Sequence, residues 1–384
     1  MKTKSLTLFG AMTLSAALGV KAQTLEWKTK EQIITFEAAG RSSFTVPISI
    51  NPKGEITGYY LDASSKTHGF VRDKDGKITT FDGPGAVEAY GTFPAGINPK
   101  GEITGYCGTN SAVHGFLRDK DGSITEFDVP DAVTFEGTFA ASINAGGEIA
   151  GFTGPLVPHC CGLRLGFLRH TDGTITTFEV PGSATTEAQS INPSGEITGY
   201  YYDVFPGSLG GEHGFLRDED GTIATFDVPG RGPYATQAKS INPSGEITGY
   251  YYDANNAQNS GVYGFLRHKD GKITTFEAPD AATVNFEGTF AGSINPSGQI
   301  TGYYNDAKSA VHGFFRDKDG TFTTFDPPGS IATHPTSINP SGEITGYYFD
   351  ANGRSHGFLR KPDHHEGAKD EKEDEGREDS ERPE

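Results

Sequence analysis

The chain reads as an all-β protein, a seven-bladed β-propeller of four-stranded antiparallel blades closed by an N-terminal strand that completes the last blade. Three observations predict this: a motif beginning Ile-Asn that recurs seven times, two tight-turn signals in each recurrence, and one strand motif that is missing at the end of the array but present at its start.

The Ile-Asn pair begins at Ile50, Ile97, Ile143, Ile191, Ile241, Ile294 and Ile338, at separations of 44 to 53 residues. Each unit divides into four short strands. The first ends in Ser-Ile-Asn, the second is Glu-Ile-Thr-Gly-Tyr-Tyr, the third His-Gly-Phe-Leu-Arg and the fourth Ile-Thr-Thr-Phe. Asn-Pro-Ser-Gly joins the first pair and Asp-Lys-Asp-Gly the last pair, and Asn, Asp and Gly tolerate the backbone that tight hairpins demand. Four-stranded units of about 40–50 residues repeated around an axis are the signature of a propeller.

The fourth-strand motif begins at Ile78, Ile124, Ile175, Ile223, Ile273 and Phe322, and no copy follows the last Gly-Phe. The missing copy is "IITF", from Ile33 to Phe36, which a ring would bring beside the last unit. A small residue precedes the Ile-Asn pair (Ser49, Gly96, Ser142, Ser190, Ser240, Ser293, Ser337), as strands crowded round an axis require. The glycines of the second and third strands permit close approach of neighbouring backbone.

The ends read differently. Residues 1–22 form a signal peptide: Lys2 and Lys4 precede an uncharged run from Ser5 to Val20, and Val20 with Ala22 fits cleavage before Gln23. That run is too short for a comfortable membrane span, so an exported protein, secreted or periplasmic, is expected. The propeller occupies residues 31–360. Residues 361–384 carry eleven acids against five Lys and Arg, and such a tail is expected to be disordered. Of the net charge of −18, the leader contributes +3 and the tail −6, leaving −15 on the body. So acidic a body repels phosphate backbones and anionic lipids, which argues against nucleic acid as a partner. His364 and His365 read as part of a solvated tail.

The connections from second to third strand vary most, from "LDASSKT" to "FTGPLVPHCCGLRL" and "YDVFPGSLGGE", and they emerge on one face. Variation confined to one face marks a binding surface. Five units present a Tyr-x-Asp there, giving candidate ligand-binding pairs Tyr60 with Asp62, Tyr201 with Asp203, Tyr251 with Asp253, Tyr304 with Asp306, and Tyr348 with Asp350. Aromatic faces beside carboxylates suit sugars, and a carboxylate there could also join a calcium site, although no cofactor is expected. The competing reading is that each Tyr packs between blades and each Asp closes a turn. The repeated "RDKDG" lacks the remaining acids of a calcium loop and reads as a hairpin.

The repeated His68, His114, His213, His312 and His356 read as structural, since a catalytic histidine is needed once. Glu136 and Glu287, from two copies of Phe-Glu-Gly-Thr-Phe, are candidate acid and base if the fold brings them within about 5–10 Å, with blade packing as the alternative. Cys107 and the pair Cys160 and Cys161 fall on one face of adjacent units. In an exported protein a disulfide from Cys107 to Cys160 or Cys161 fits them, and a zinc or copper site with His159 is the alternative. The third unit lacks Tyr-Tyr-x-Asp and carries the insert "PLVPHCCGLR", so it is where a unique feature is expected.

The order "ITTFDVPGA…SINPSGEITGYYYD…HGFLRDKDG" resembles the HAF-type extracellular repeat family over nearly all of Gln32 to Arg360. The resemblance implies export and a propeller-like repeat domain, and it implies no activity. That family opens its third strand with His-Ala-Phe, whereas here it is His-Gly-Phe five times, with Leu165 and Tyr263 in place of His in two copies. The expected function is a monomeric, non-catalytic binding module for a polysaccharide, a cell-wall component or another protein. The alternatives are a propeller lyase or glycosidase with a site near the axis, and a structural surface protein.

Overall fold

The computed structural model describes residues 32–40, 44–86, 91–108, 112–130, 136–155, 164–205, 208–229, 236–253, 260–284 and 286–362. The expected signal peptide and all but the first two residues of the acidic tail lie outside these. The regular elements among the described residues are β-strands, and no helix is long and apolar enough to cross a membrane.

The first unit sets the pattern. Strands Phe44–Ile50, Ile56–Leu61, Thr67–Arg72 and Ile78–Phe81 form an antiparallel meander. The Asn51 and Asp73 hairpins close through backbone hydrogen bonds to Glu55 and Lys77, both 2.9 Å, with Gly54 and Gly76 at positive φ. The same meander then repeats along the chain. Four copies are separate four-stranded sheets, while a twelve-stranded mixed sheet holds the rest. Its mixed character comes from single parallel pairs, Val311 with Ala332 and Phe44 with Ser355, which tie one meander to the next. These antiparallel four-stranded sheets in series make the chain a β-propeller.

The N-terminal strand Gln32–Phe36 runs antiparallel to Ser355–Lys361, from Gln32 opposite Lys361 to Phe36 opposite Gly357. Its packing repeats that of the fourth strands. Phe81 meets Phe116 edge-on at 6.2 Å, and Phe36 meets Phe70 in the same way at the same distance. The guanidinium of Arg118 lies over Phe81 and that of Arg72 over Phe36, at 4.8 and 5.1 Å.

The core is distributed between neighbouring sheets. In each unit the second-strand Ile and the third-strand Phe are fully buried, as in Ile56 with Phe70 and Ile247 with Phe265. In every unit but the third, which has Ala150 there, the buried second-strand Thr donates its hydroxyl to the carbonyl of that Phe, at 2.9 Å for Thr57 and 2.8 Å for Thr198. The second-strand glycine is obligatory for space: a Cβ on Gly199 would overlap the carbonyl oxygen of Glu187.

Two features of the first strands shape the centre. Each carries a β-bulge two residues before the Ile-Asn pair, as between Pro47 and Ser49 or Ala238 and Ser240. A bulge adds one unpaired residue and re-aims its side chain. The seven bulge residues are Ile48, Ala95, Ala141, Gln189, Lys239, Gly292 and Thr336, and all of them line one central cavity. Below that layer each Ile-Asn asparagine donates its side-chain amide to the backbone carbonyl of the next unit's asparagine. The chain of bonds runs from Asn51 to Asn98 and onward to Asn339, which donates to Asn51, at 3.0 to 3.3 Å.

Phe36→Ala is expected to lower the unfolding free energy by about 3 kcal/mol, the low end for a core Phe because the ring keeps some exposure. Chemical denaturation would test this; a change within error would mean that the N-terminal strand does not complete the core.

Candidate functional site

The central cavity has a volume of about 440 Å³ and is walled by first-strand residues of all the units. Around its rim, one step along the strands from the bulges, second-strand and first-strand side chains alternate in a belt. Tyr59 meets Phe93 at 5.3 Å, Phe93 stacks on Tyr106 at 5.2 Å, Tyr106 meets Phe139 at 5.1 Å and Phe139 stacks on Phe152 at 5.5 Å. On the other side Tyr250, Phe290, Tyr303, His334 and Tyr347 continue it at 4.7 to 5.1 Å. Burial lowers the His334 pKa and raises that of Tyr303 to about 12, so both rings stay neutral near pH 7.

Between Phe152 and Tyr250 the belt changes chemistry. The first-strand positions that hold Phe93, Phe139 and Phe290 hold Glu187 and Gln237 in units four and five. Arg164 lies over the Phe152 ring and forms an ion pair with the buried Glu187, which also accepts the Tyr200 hydroxyl at 2.6 Å. Gln237 accepts the Tyr250 hydroxyl and donates to Glu212, each at 2.6 Å, and Glu212 accepts the Tyr202 hydroxyl at 2.5 Å. Burial, then the nearby carboxylates, push the Tyr200 and Tyr202 hydroxyls far above the ordinary tyrosine range.

Lys239, the bulge residue of unit five, is the one charged side chain among the described residues of the cavity wall. Its ammonium lies over the rings of Tyr200 and Tyr250, at 4.7 and 5.3 Å. It borders the cavity and keeps some accessible surface, yet the surrounding wall desolvates it. Burial lowers its pKa to about 8, against the opposing pull of Glu187 and Glu212. The arrangement supplies a cation and two aromatic faces at one side of the rim, with the hydroxyls of Ser190 and Ser240 in the cavity wall beside them.

The residues singled out by sequence fall elsewhere. Tyr60, Tyr201, Tyr251, Tyr304 and Tyr348 are all buried, each packed inside its unit against the third-strand residue, with Tyr60 stacked on His68 at 5.1 Å and Tyr251 on Tyr263 at 5.5 Å. Asp62 and Asp350 cap their own turns, accepting backbone N–H groups of Lys66 and Arg354 at 2.9 and 3.0 Å, and these bonds hold both carboxyls down at about 2. Asp306 accepts from Ala310 in the same way, and Asp253 closes its loop by donating its N–H to Gly261.

The same aspartates meet the repeated histidines. His213 sits between Asp203 at 3.0 Å and Asp227 at 2.9 Å, and His68 between Asp62 at 3.4 Å and Asp82 at 2.7 Å. In the last unit Glu37, which follows the N-terminal strand, takes the place of the second acid against His356. His114 has the outer acid alone, Asp128 at 2.9 Å.

Glu136 opens its strand, with its side chain outside the described set, and Glu287 is half-buried and does not line the cavity. Cys160, Cys161 and His159 lie outside the described residues. Cys107 is a buried thiol, 3.4 Å from Glu126, and burial raises its pKa. Among the described residues no group of three or more His, Cys, Asp or Glu side chains is placed to hold a metal ion. The insert of the third unit, residues 156–163, is likewise undescribed. The departure from the repeat starts just after it, at Arg164, and centres on units four and five. Sequence reading missed Glu187, Gln237 and Lys239, although a carboxylate and an ammonium at first-strand positions that carry no charge in the other units were a usable signal.

Neither a family model nor a curated protein matches the sequence. Among solved structures the fold is similar to a catalytically inactive virginiamycin B lyase from Staphylococcus aureus with quinupristin, at TM-score 0.55 and 13% identity, covering 86% of this chain and 99% of that one. It is also similar to the β-propeller domain of the Trilobed protease from Pyrococcus furiosus, described as having an open velcro topology, at TM-score 0.53 and 10% identity over 84% and 95% of the two chains. Puromycin hydrolase matches at TM-score 0.53 and 14% identity over 82% of this chain, but over 53% of its own length. At these identities the likeness is one of fold alone.

The surroundings of Lys239 predict a pH signature. With its folded pKa near 8 and its ordinary value 10.5, the unfolded chain holds the extra proton between these limits, so this group makes stability rise with pH across that window. Relative to Lys239→Met, the wild-type protein is expected to gain stability between about pH 8 and 10 in denaturant titrations. Tyrosine ionisation, common to both proteins, cancels in the difference. Parallel curves would place the ammonium in bulk-like water.

Proposed function

We propose that this chain is an exported, seven-bladed β-propeller, completed by the strand Gln32–Phe36, that binds a glycan of the cell wall or its surroundings at the rim of its axial channel. The cycle of asparagine bonds and the matched packing of Phe36 and Phe81 support the blade count and the closure. The resemblance to HAF-type repeats and the apolar leader support export.

One observation carries the binding reading: the rim, aromatic apart from Val46 in the first unit and His334 in the last, is interrupted by charged and amide side chains in one place, by Arg164, Glu187, Gln237 and Lys239. A repeat fold needs no such interruption for its own packing. Aromatic faces offer stacking to the apolar side of a sugar ring, and charged side chains beside them bond its hydroxyls. The rim lies toward the variable connections, so loops of unequal length could extend the contact.

A second reading, a lyase or glycosidase working at the same place, is favoured by Lys239 alone. An amine with a pKa near 8 in a channel can take up a proton close to neutrality.

Incubating the full chain with a panel of polysaccharides and bacterial wall preparations, and measuring retained protein and released products together, separates these readings. Retention without products is expected, with Glu212→Gln weakening it about tenfold through the lost charge-assisted bonds. Released oligosaccharide would replace binding by catalysis, and neither retention nor release would sink both.

A further inference from the structure

We propose that Lys239 makes the axial channel a receptor for a single carboxylate, so that the glycan unit held at its rim is an acidic sugar, a uronate. This rests on the axial site proposed above and adds the chemical class of its ligand.

Lys239 is the only charged residue among those described in the cavity wall, and among the described residues its ammonium contacts ring faces rather than any hydrogen-bond acceptor. Three N–H donors therefore remain for a ligand. The wall around it is rich in serine. Ser190 Oγ accepts the N–H of Ile241 at 3.3 Å, Ser240 Oγ that of Ile294 at 3.4 Å and Ser293 Oγ that of Ile338 at 3.3 Å. Each oxygen is engaged by backbone, which leaves its hydroxyl proton to donate to whatever enters the channel.

The nearby acceptors are already used. Glu187 is occupied by Arg164 and Tyr200, and Glu212 by Tyr202 and Gln237. An ammonium and hydroxyl donors facing a cavity whose neighbouring carboxylates are engaged, with the Gln189 amide as a further donor in the wall, form a complement to an anion. The charge count then narrows the anion. Glu187 and Glu212 both act on Lys239, so the site holds one cation against two neighbouring carboxylates, one of which is already balanced by Arg164. With Arg164 against Glu187 and Lys239 against Glu212 the site is neutral without a ligand, so a monoanionic carboxylate on the ammonium adds the least uncompensated charge and a phosphate dianion adds twice as much. The apolar face of the same sugar ring lies naturally against Tyr250 and Phe290, both in the cavity wall.

The test uses the full-length chain and two probes, sodium glucuronate and glucose. Reductive methylation at limiting reagent, read by peptide mass spectrometry, reports the accessibility of the Lys239 amine. Glucuronate is expected to slow labelling of Lys239 about tenfold at saturation, with glucose leaving it unchanged and other lysines serving as internal controls. Calorimetry adds the variants: Lys239→Met is expected to weaken glucuronate binding by ten- to about a hundredfold, and Lys239→Arg, which keeps the charge and reports on folding, by only a few-fold.

Equal protection by both sugars would overturn the carboxylate inference and leave the axial glycan site standing. Absence of protection while polysaccharide is retained, with that retention weakened by Glu212→Gln, would overturn the inference alone; retention that Glu212→Gln leaves unchanged would put the ligand elsewhere on the protein and overturn the axial site with it. If nothing protects Lys239 and nothing is retained, both proposals fall.

Discussion

The asparagine of the Ile-Asn pair is the constraint on which the geometry of the molecule depends. Its side-chain oxygen accepts backbone N–H groups of its own hairpin, as Asn51 Oδ1 does from Lys53 and Glu55 at 3.0 Å. Its amide then splits between the Glu that ends the hairpin, Gln299 in the sixth unit, and the backbone carbonyl of the next asparagine. All seven are buried, between 1% and 4% exposed, so an unmade bond would cost about 1–3 kcal/mol with no water to replace it. Each link sets the spacing between two first strands, and seven links returning to Asn51 set the width of the centre. Asparagine supplies the turn oxygen and a two-hydrogen lateral donor on separate atoms of one short side chain.

That spacing crowds the centre. First strands held this close leave room for Ser or Gly before the pair, and those serines make the next layer of cross-links, with Ser337 Oγ accepting from Ile50 across the chain ends. The bulge above them turns one side chain per unit into the channel, where six are uncharged and one is Lys239. A repeat held together by identical bonds treats its units alike. Function in such a fold must come from positions the bonds do not fix, and the bulge and rim positions are of that kind.

The repeats, the strand order and both hairpins were legible in the sequence because each rests on local chemistry: Gly at positive φ, Asn and Asp closing turns, Ile and Phe at fixed places. The rim was not legible. Simple alternation along "EITGYY" does not say which of two adjacent tyrosines faces the next unit. Tyr59 joins the belt while Tyr60 packs on its own His68, and only the position of the neighbouring sheet decides this. The bulges compounded the difficulty, since one extra residue breaks the period of two, so Lys239 in "QAKSIN" reads as an outward-facing lysine until the register is known. The histidines were legible as structural but their partners were not. Asp203 and Asp227 come from different connections, and the sequence holds no measure of the distance between them.

The energetics of the rim bear on why the interruption matters. Elsewhere, apart from Val46 in the first unit, the belt is built from stacked and edge-on rings, which need no hydrogen-bond partners beyond those of their own polar atoms. Placing Glu187 in the same layer buries a carboxylate at 5% exposure, and it is tolerated because Arg164 and Tyr200 both address it. Gln237 in turn requires Tyr250 and Glu212, and Glu212 requires Tyr202, so two substitutions recruit a network across units three, four and five. A buried ion pair of this kind is no more stabilising than the well-packed rings it replaces, because the desolvation of both charges offsets their attraction. Stability therefore gives no reason to prefer the network over Phe at both positions, as Phe93 and Phe139 demonstrate within the same ring of contacts. The remaining effect of the network is to hold negative charge and hydroxyl groups beside the Lys239 ammonium without neutralising it by a direct contact, which keeps a donor available to the channel.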